Sequence, residues 1–194
     1  MVKTFLRILQ GTLFYPREFF SNLKEKGIKL PILFFSTVLL LYSIIGFILD
    51  YNSKQLIGLE QIGFALSIPI FFIVLILIIL FGIIILYVKT FILWILILIF
   101  KVKLNFNDVL RLRAYTSSPL VFAWIPLLGL PLALVWGTVI EIIGLSKYAK
   151  ISMAKSTIII LIPLAILFLL LLVVLFFAFA FVLASPAGFL ISDL

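Results

Sequence analysis

Residues Ile62 to Val88 read IGFALSIPIFFIVLILIILFGIIILYV, 27 positions without a charge. As a helix rising ~1.5 Å per residue, this run is longer than the ~30 Å hydrocarbon core of a bilayer. Lipid offers no partner for open backbone groups, so a spanning segment is a helix or part of a closed barrel. Barrel strands alternate polar and apolar residues, and Phe71 to Leu80 does not alternate. The stretch therefore reads as a transmembrane helix. Beyond Lys89 only Thr90 to Phe100 remains before the next charge, too short for another pass. The reading is one crossing up to Val88, with Lys89 snorkelling to the interface. Residues 90–100 then continue as a bent or protruding extension, with Trp94 at the interface.

The neighbouring uncharged stretches extend this to an all-α polytopic membrane protein with five transmembrane helices. The first is Leu30 to Leu49, preceded by Lys24, Lys26 and Lys29; no small-residue cleavage site follows it, so it reads as retained. Ala114 to Ile140 is split by Leu128-Gly129-Leu130-Pro131, a turn signal. Helix three then runs from an N-cap near Asn107-Asp108 to Leu128, and helix four from Pro131 to about Ser146. The last span follows Lys155 and stops at Ser185-Pro186-Ala187-Gly188. The domain reading is an interfacial segment 1–29, a five-helix unit 30–184 and a short extracytoplasmic tail 185–194.

Composition excludes the soluble alternatives. Of 194 residues, 66% are apolar and 11% charged, against roughly 45–50% and about 25% in soluble domains. With no Cys and no His, disulfides, thiolate chemistry and the commonest metal ligand are missing. The sequence carries no phosphate loop, dinucleotide fingerprint or paired carboxylates, so no cofactor, no metal and no catalytic residue is expected.

The net charge of +8 follows topology. With five crossings, thirteen of the fifteen basic residues fall in segments on one side, Lys54 lies in the loop between helices one and two, and Lys89 sits at the end of the second crossing. Positive residues in short loops mark the cytoplasm, which gives N-terminus in, C-terminus out, in the cell membrane. Cations spread over loops in this way indicate anionic lipid headgroups and not nucleic acid.

Val2, Phe5, Leu6, Leu9 and Leu13 recur at helical spacing, opposite Lys3, Arg7 and Gln10. Gly11 weakens this helix, Pro16 opens a second carrying Phe19, Phe20 and Leu23, and Gly27 is its expected stop. Basic amphipathic helices beside a membrane lie in the headgroup plane, so Phe5, Leu9, Pro16, Phe19 and Phe20 are the interfacial residues.

Within the membrane, Glu141 is the residue to explain. A buried acid in a spanning helix costs about 2.5–3.5 kcal/mol at mid-membrane, so it should face a partner. Gly129, Ala133, Gly137 and Glu141 recur every four residues, and Gly144 follows: a small-residue stripe for close packing. The candidate partners are Arg113, Arg111 and the hydroxyls of Tyr115 and Thr116, with Ala114 and Ser118 as the small positions facing the stripe. Ser117-Ser118-Pro119 has no base beside it in sequence and reads as capping and packing.

Pro16-Arg17-Glu18-Phe19-Phe20 stands before the first span, and the run Arg111-Leu112-Arg113-Ala114-Tyr115-Thr116-Ser117-Ser118-Pro119 is followed by Ile125-Pro126, Trp136, Ile143-Gly144-Leu145-Ser146 and Ile151-Ser152. This lead-in and this order of motifs resemble the Yip domain family, the five-pass membrane proteins that interact with Ypt/Rab GTPases. Lys101-Val102-Lys103-Leu104 departs from it, since many members carry a Gly pair there. Low Asn, Gln, Met and Cys usage is that of a prokaryotic member. The resemblance implies membrane trafficking or organisation in eukaryotic members and an accessory role beside ABC-type exporters in prokaryotic ones; GTPase binding is not carried over. The expected function is a non-catalytic scaffold or accessory factor for another membrane protein or a second copy of itself. The alternative is a small transporter or lipid-handling protein with a cavity around Glu141.

Overall fold

The computed structural model describes residues 2–24, 27–56 and 64–184, and among them the chain is helical with no strand. The elements are α1 (Val2–Phe14), α2 (Pro16–Ser21), α3 (Lys29–Leu56), α4 (Phe64–Ile99), α5 (Phe106–Thr116), a 3-10 turn (Ser118–Phe122), α6 (Gly129–Tyr148) and α7 (Met153–Ala184). Lys26, Glu60 and the segment 185–194 with its expected stop lie outside the described residues.

Four of these helices are long and apolar enough to cross a membrane: Lys29–Leu49, Phe71–Ile99, Gly129–Tyr148 and Met153–Phe181. The continuous fifth helix expected over 107–128 does not form. α5 ends at Thr116 and gives way to the 3-10 turn and a run of turns. Two features break it. Ser117 Oγ donates to the Ala114 carbonyl at 2.6 Å, and Pro119 and Pro126 bring no N–H to an α-helical ladder. The chain closes shorter bonds instead: Leu120 N to Ser117 O, Ala123 N to Leu120 O and Ile125 N to Phe122 O, each 3.0 Å.

This broken limb nevertheless runs antiparallel to α6. Leu112 meets α6 at Gly144, the Thr116 carbonyl meets it at Gly137, and the Phe122 and Ala123 carbonyls meet it at Gly129. The start of α5 and the end of α6 are therefore at the same end of the molecule. The N-cap is Asn105, two residues before the expected start; its N–H donates to Asp108 Oδ2 at 3.1 Å.

α4 is unbroken from Phe64 to Ile99, so the helix continues past Lys89 as expected. Its Thr90, Leu93 and Ile97 side is buried, where α4 packs with α5 and α7, while Phe91, Ile92, Ile95, Leu98 and Ile99 are exposed.

The core lies at the end where α5 begins. It joins Ile8 and Leu13 of α1, Phe20 of α2, Phe34 and Val38 of α3, Leu93 and Ile97 of α4, Tyr115 of α5, Ile140 and Leu145 of α6 and Ile159 of α7. Away from this head α3 and α4 stay together, with the Phe47 and Phe71 rings 4.1 Å apart, whereas α7 stands alone. From Leu164 to Phe181 every described side chain of α7 is exposed, and all are apolar. A helix apolar on every side and unpacked within its own chain is matched to lipid.

α1 and α2 fold back onto the head. α2 ends at Ser21, well before the expected stop at Gly27. Gly11 makes the fold-back feasible, because a Cβ there would come within 2.9 Å of the Phe19 ring. Lys3, Arg7 and Gln10 are exposed, but so are Val2 and Leu6 of the expected apolar stripe. The buried side is centred on Ile8, Thr12 and Leu13.

Candidate functional site

The polar residues of the head fall into two groups, set by the phase of α5. Residues two apart on a helix differ by ~200° in direction, so Arg111 and Arg113 point to opposite sides.

Arg113 turns toward α6. Its Nε lies 2.8 Å from Glu141 Oε1, with side-chain exposures of 18% and 10%. Neither atom has a hydrogen bond to any other group among the described residues. Lys89 of α4 places a second positive charge within electrostatic reach of the same carboxylate. Of the partners expected for Glu141, then, Arg113 is in contact. Thr116 Oγ1 donates to the Arg113 carbonyl at 3.2 Å, and the Tyr115 ring sits 5.3 Å from that of Phe19 and 5.5 Å from that of Phe34.

Arg111 turns the other way and is nearly fully buried. Its Nε donates to the Gly27 carbonyl at 3.3 Å, and its Nη1 to Asp108 Oδ1 at 3.0 Å and to Tyr148 Oη. Tyr148 Oη in turn donates to Asp108 Oδ1 at 3.0 Å. This network ties the start of α5 to the end of α6 and to the chain entering α3. Tyr148 was not legible as a member, because it follows Lys147 in an ordinary helix end and only the antiparallel limb brings it to Asp108. A hydrogen bond to a charged group is worth about 1.5–3 kcal/mol, so the network is a structural clasp.

The small-residue stripe of α6 is used inside the chain. Gly129, Ala133 and Gly144 are buried, and Gly137 lies against the α5 limb. At Gly144 a Cβ would stand 2.8 Å from Leu112 and 3.0 Å from Phe20. Ser118 is fully buried, and its Oγ has no hydrogen-bond partner among the described residues. Of the residues expected at an interface, Phe20 is in the core and Phe19 packs edge-on against Phe20 at 5.1 Å. Phe5 meets Phe34 at 5.3 Å, Leu9 is half-buried, and Pro16 is the first residue of α2.

Two clefts open at the rim of the head. One, of about 470 Å³, is lined by Leu98, Lys101, Lys103, Asn105 and Asp108 among others. The other, of about 360 Å³, shares Asn105 and Asp108 and adds Lys24, Arg111 and Tyr148. Neither is lined by Glu141. Among the described residues no group of three or more acidic residues is placed to hold a metal.

No curated protein and no solved structure matches this chain. The family model for the Yip1 domain matches residues 11–189, from the fold-back at Gly11 through all of α7. An all-helical chain with four long apolar helices, matched over nearly its whole length, belongs to the Yip1 domain family of membrane proteins.

Proposed function

We propose that this protein is a non-catalytic scaffold or accessory factor that holds a second membrane protein, using the outer side of its N-terminal helices. The observation that carries this is the double-sided character of α1. Its inner side fills the core with Ile8 and Leu13, while Val2, Leu6 and Phe14, and Tyr15 just past its end, stand exposed by half or more. Large apolar groups left open next to a packed head are suited to a partner surface or to the bilayer. The small-residue faces of α5 and α6, the other expected docking surface, are spent on internal packing. In this reading residues 1–29 are a peripheral collar on a unit extending to 184. The chain crosses the cell membrane five times, the α5 limb serving as the third passage. The N-terminus and the basic loops face the cytoplasm, and the C-terminus faces out.

Photo-crosslinking in native membranes tests it. A crosslinker at Leu6 or Phe14 is expected to give one discrete protein adduct, abolished by Val2→Asp, and one at Ile8 is expected to react only within the chain. Lipid adducts alone at Leu6 and Phe14 would contradict the reading. The second reading, a transporter with a cavity near Glu141, draws on Ser43 and Ser118, whose hydroxyls are buried with no partner among the described residues. It requires water to reach those hydroxyls, which hydrogen exchange or solvent-accessible labelling at position 118 measures.

A further inference from the structure

The larger rim cleft has a chemistry that the scaffold reading does not use. Lys101 and Lys103 line it, and both are exposed. Its one carboxylate, Asp108, is already compensated: Oδ1 receives Arg111 and Tyr148, and Oδ2 receives the Asn105 N–H. The cleft therefore keeps two uncompensated positive charges. Leu98 of α4, half exposed, lines it too, and Ile99, 65% exposed, follows Leu98 outside the lining. A positive floor beside an apolar wall, at the end of a spanning helix, is complementary to a phosphate with hydrocarbon attached.

The backbone adds an independent observation. α4 ends in a left-handed cap: Val102 N bonds Ile97 O and Lys101 N bonds Leu98 O, both at 2.9 Å, with Lys101 at φ 52°. Glycine is the usual residue at such a position, because a Cβ is strained there. This chain has a lysine where glycine would fit with less strain. Lys150, after α6, has the same conformation at φ 54° but does not line the cleft, which makes it a matched control.

We propose that this cleft binds the phosphate of an anionic phospholipid headgroup between Lys101 and Lys103, with the acyl chains against Leu98 and Ile99. The site requires the basic end of the molecule to lie at a membrane surface and nothing else of the scaffold reading, so loss of the α1 crosslinks leaves it standing.

The test uses the full-length protein, purified in neutral detergent, delipidated and titrated with dioleoylphosphatidylglycerol. Bound lipid is counted by native mass spectrometry; dioleoylphosphatidylcholine and inorganic phosphate are the comparison ligands. The expected result is one retained phosphatidylglycerol, preferred over phosphatidylcholine and not displaced by millimolar inorganic phosphate. Lys101→Gly and Lys103→Gln should each weaken retention about five-fold. Lys101→Gly should keep or raise the thermal midpoint, since it relieves the left-handed strain, so a binding loss there cannot be unfolding. Lys150→Gly should leave retention unchanged. The proposal is overturned if the Lys101→Gly, Lys103→Gln double variant binds like wild type, or if Lys150→Gly weakens binding as much as Lys101→Gly. Equal retention of phosphatidylcholine, or displacement by inorganic phosphate, would also overturn it.

Discussion

Arg111 and Arg113 differ by two positions, and that decides what each does. Both were legible as cations near a buried acid, but no pattern of residue types tells which side of α5 faces α6. Packing does: Arg113 meets Glu141, and Arg111 joins Asp108 and Tyr148. The consequences are distinct. Removing one partner of a buried pair strands the other charge, at a cost of about 3–5 kcal/mol, whereas replacing both with apolar residues is often neutral. Arg113→Leu or Glu141→Leu alone should therefore lower stability strongly, and the double variant should recover most of the loss, as read from thermal unfolding in detergent. Tyr148→Phe keeps the ring and deletes two hydrogen bonds of the clasp. It should cost about 1–3 kcal/mol by the same measurement.

Among the elements, the sequence was most informative where charge interrupts it and least where it is uniformly apolar. α3, α4 and α7 follow from uncharged runs bounded by charges, and α6 from the Gly129-Pro131 turn signal. The break after Thr116 was hidden because no charge falls between Ala114 and Ile140, so Ser117-Ser118-Pro119 read as capping and packing within one uncharged span and Leu128-Gly129-Leu130-Pro131 took the turn. The sidedness of α1 was missed for a different reason. Thr12 counts as polar in any pattern, yet its Oγ1 donates to the Ile8 carbonyl at 2.9 Å and the residue is fully buried. For the same reason lipid-facing and protein-facing positions of α7 look alike in sequence.

Helix contact gives a further prediction at this scale. Gly144→Ala pushes a methyl toward Leu112 and Phe20 and should cost about 1–3 kcal/mol while loosening α2, seen as faster proteolysis near Arg17. Gly46→Ala in α3 has nothing within 4 Å of the new methyl. It should be neutral or stabilise by up to about 1 kcal/mol, from helix propensity.

For the molecule as a whole, the head gathers both ends of the α5–α6 hairpin, the N-terminal helices and the start of α7, while the lipid-matched stretches extend away from it. In the proposed five-passage topology the basic residues flanking these elements share one aqueous compartment, with the broken α5 limb as the third passage. The native chain has no cysteine, so single introduced cysteines report without background. The most direct measurement places one at Lys103, one at Lys150 and one at Leu127, at the tip between the limb and α6, and labels sealed oriented vesicles with a membrane-impermeant maleimide. The account predicts that Lys103→Cys and Lys150→Cys react from the cytoplasmic side only and that Leu127→Cys does not react from that side. Labelling of positions 103 and 150 from opposite faces would contradict it.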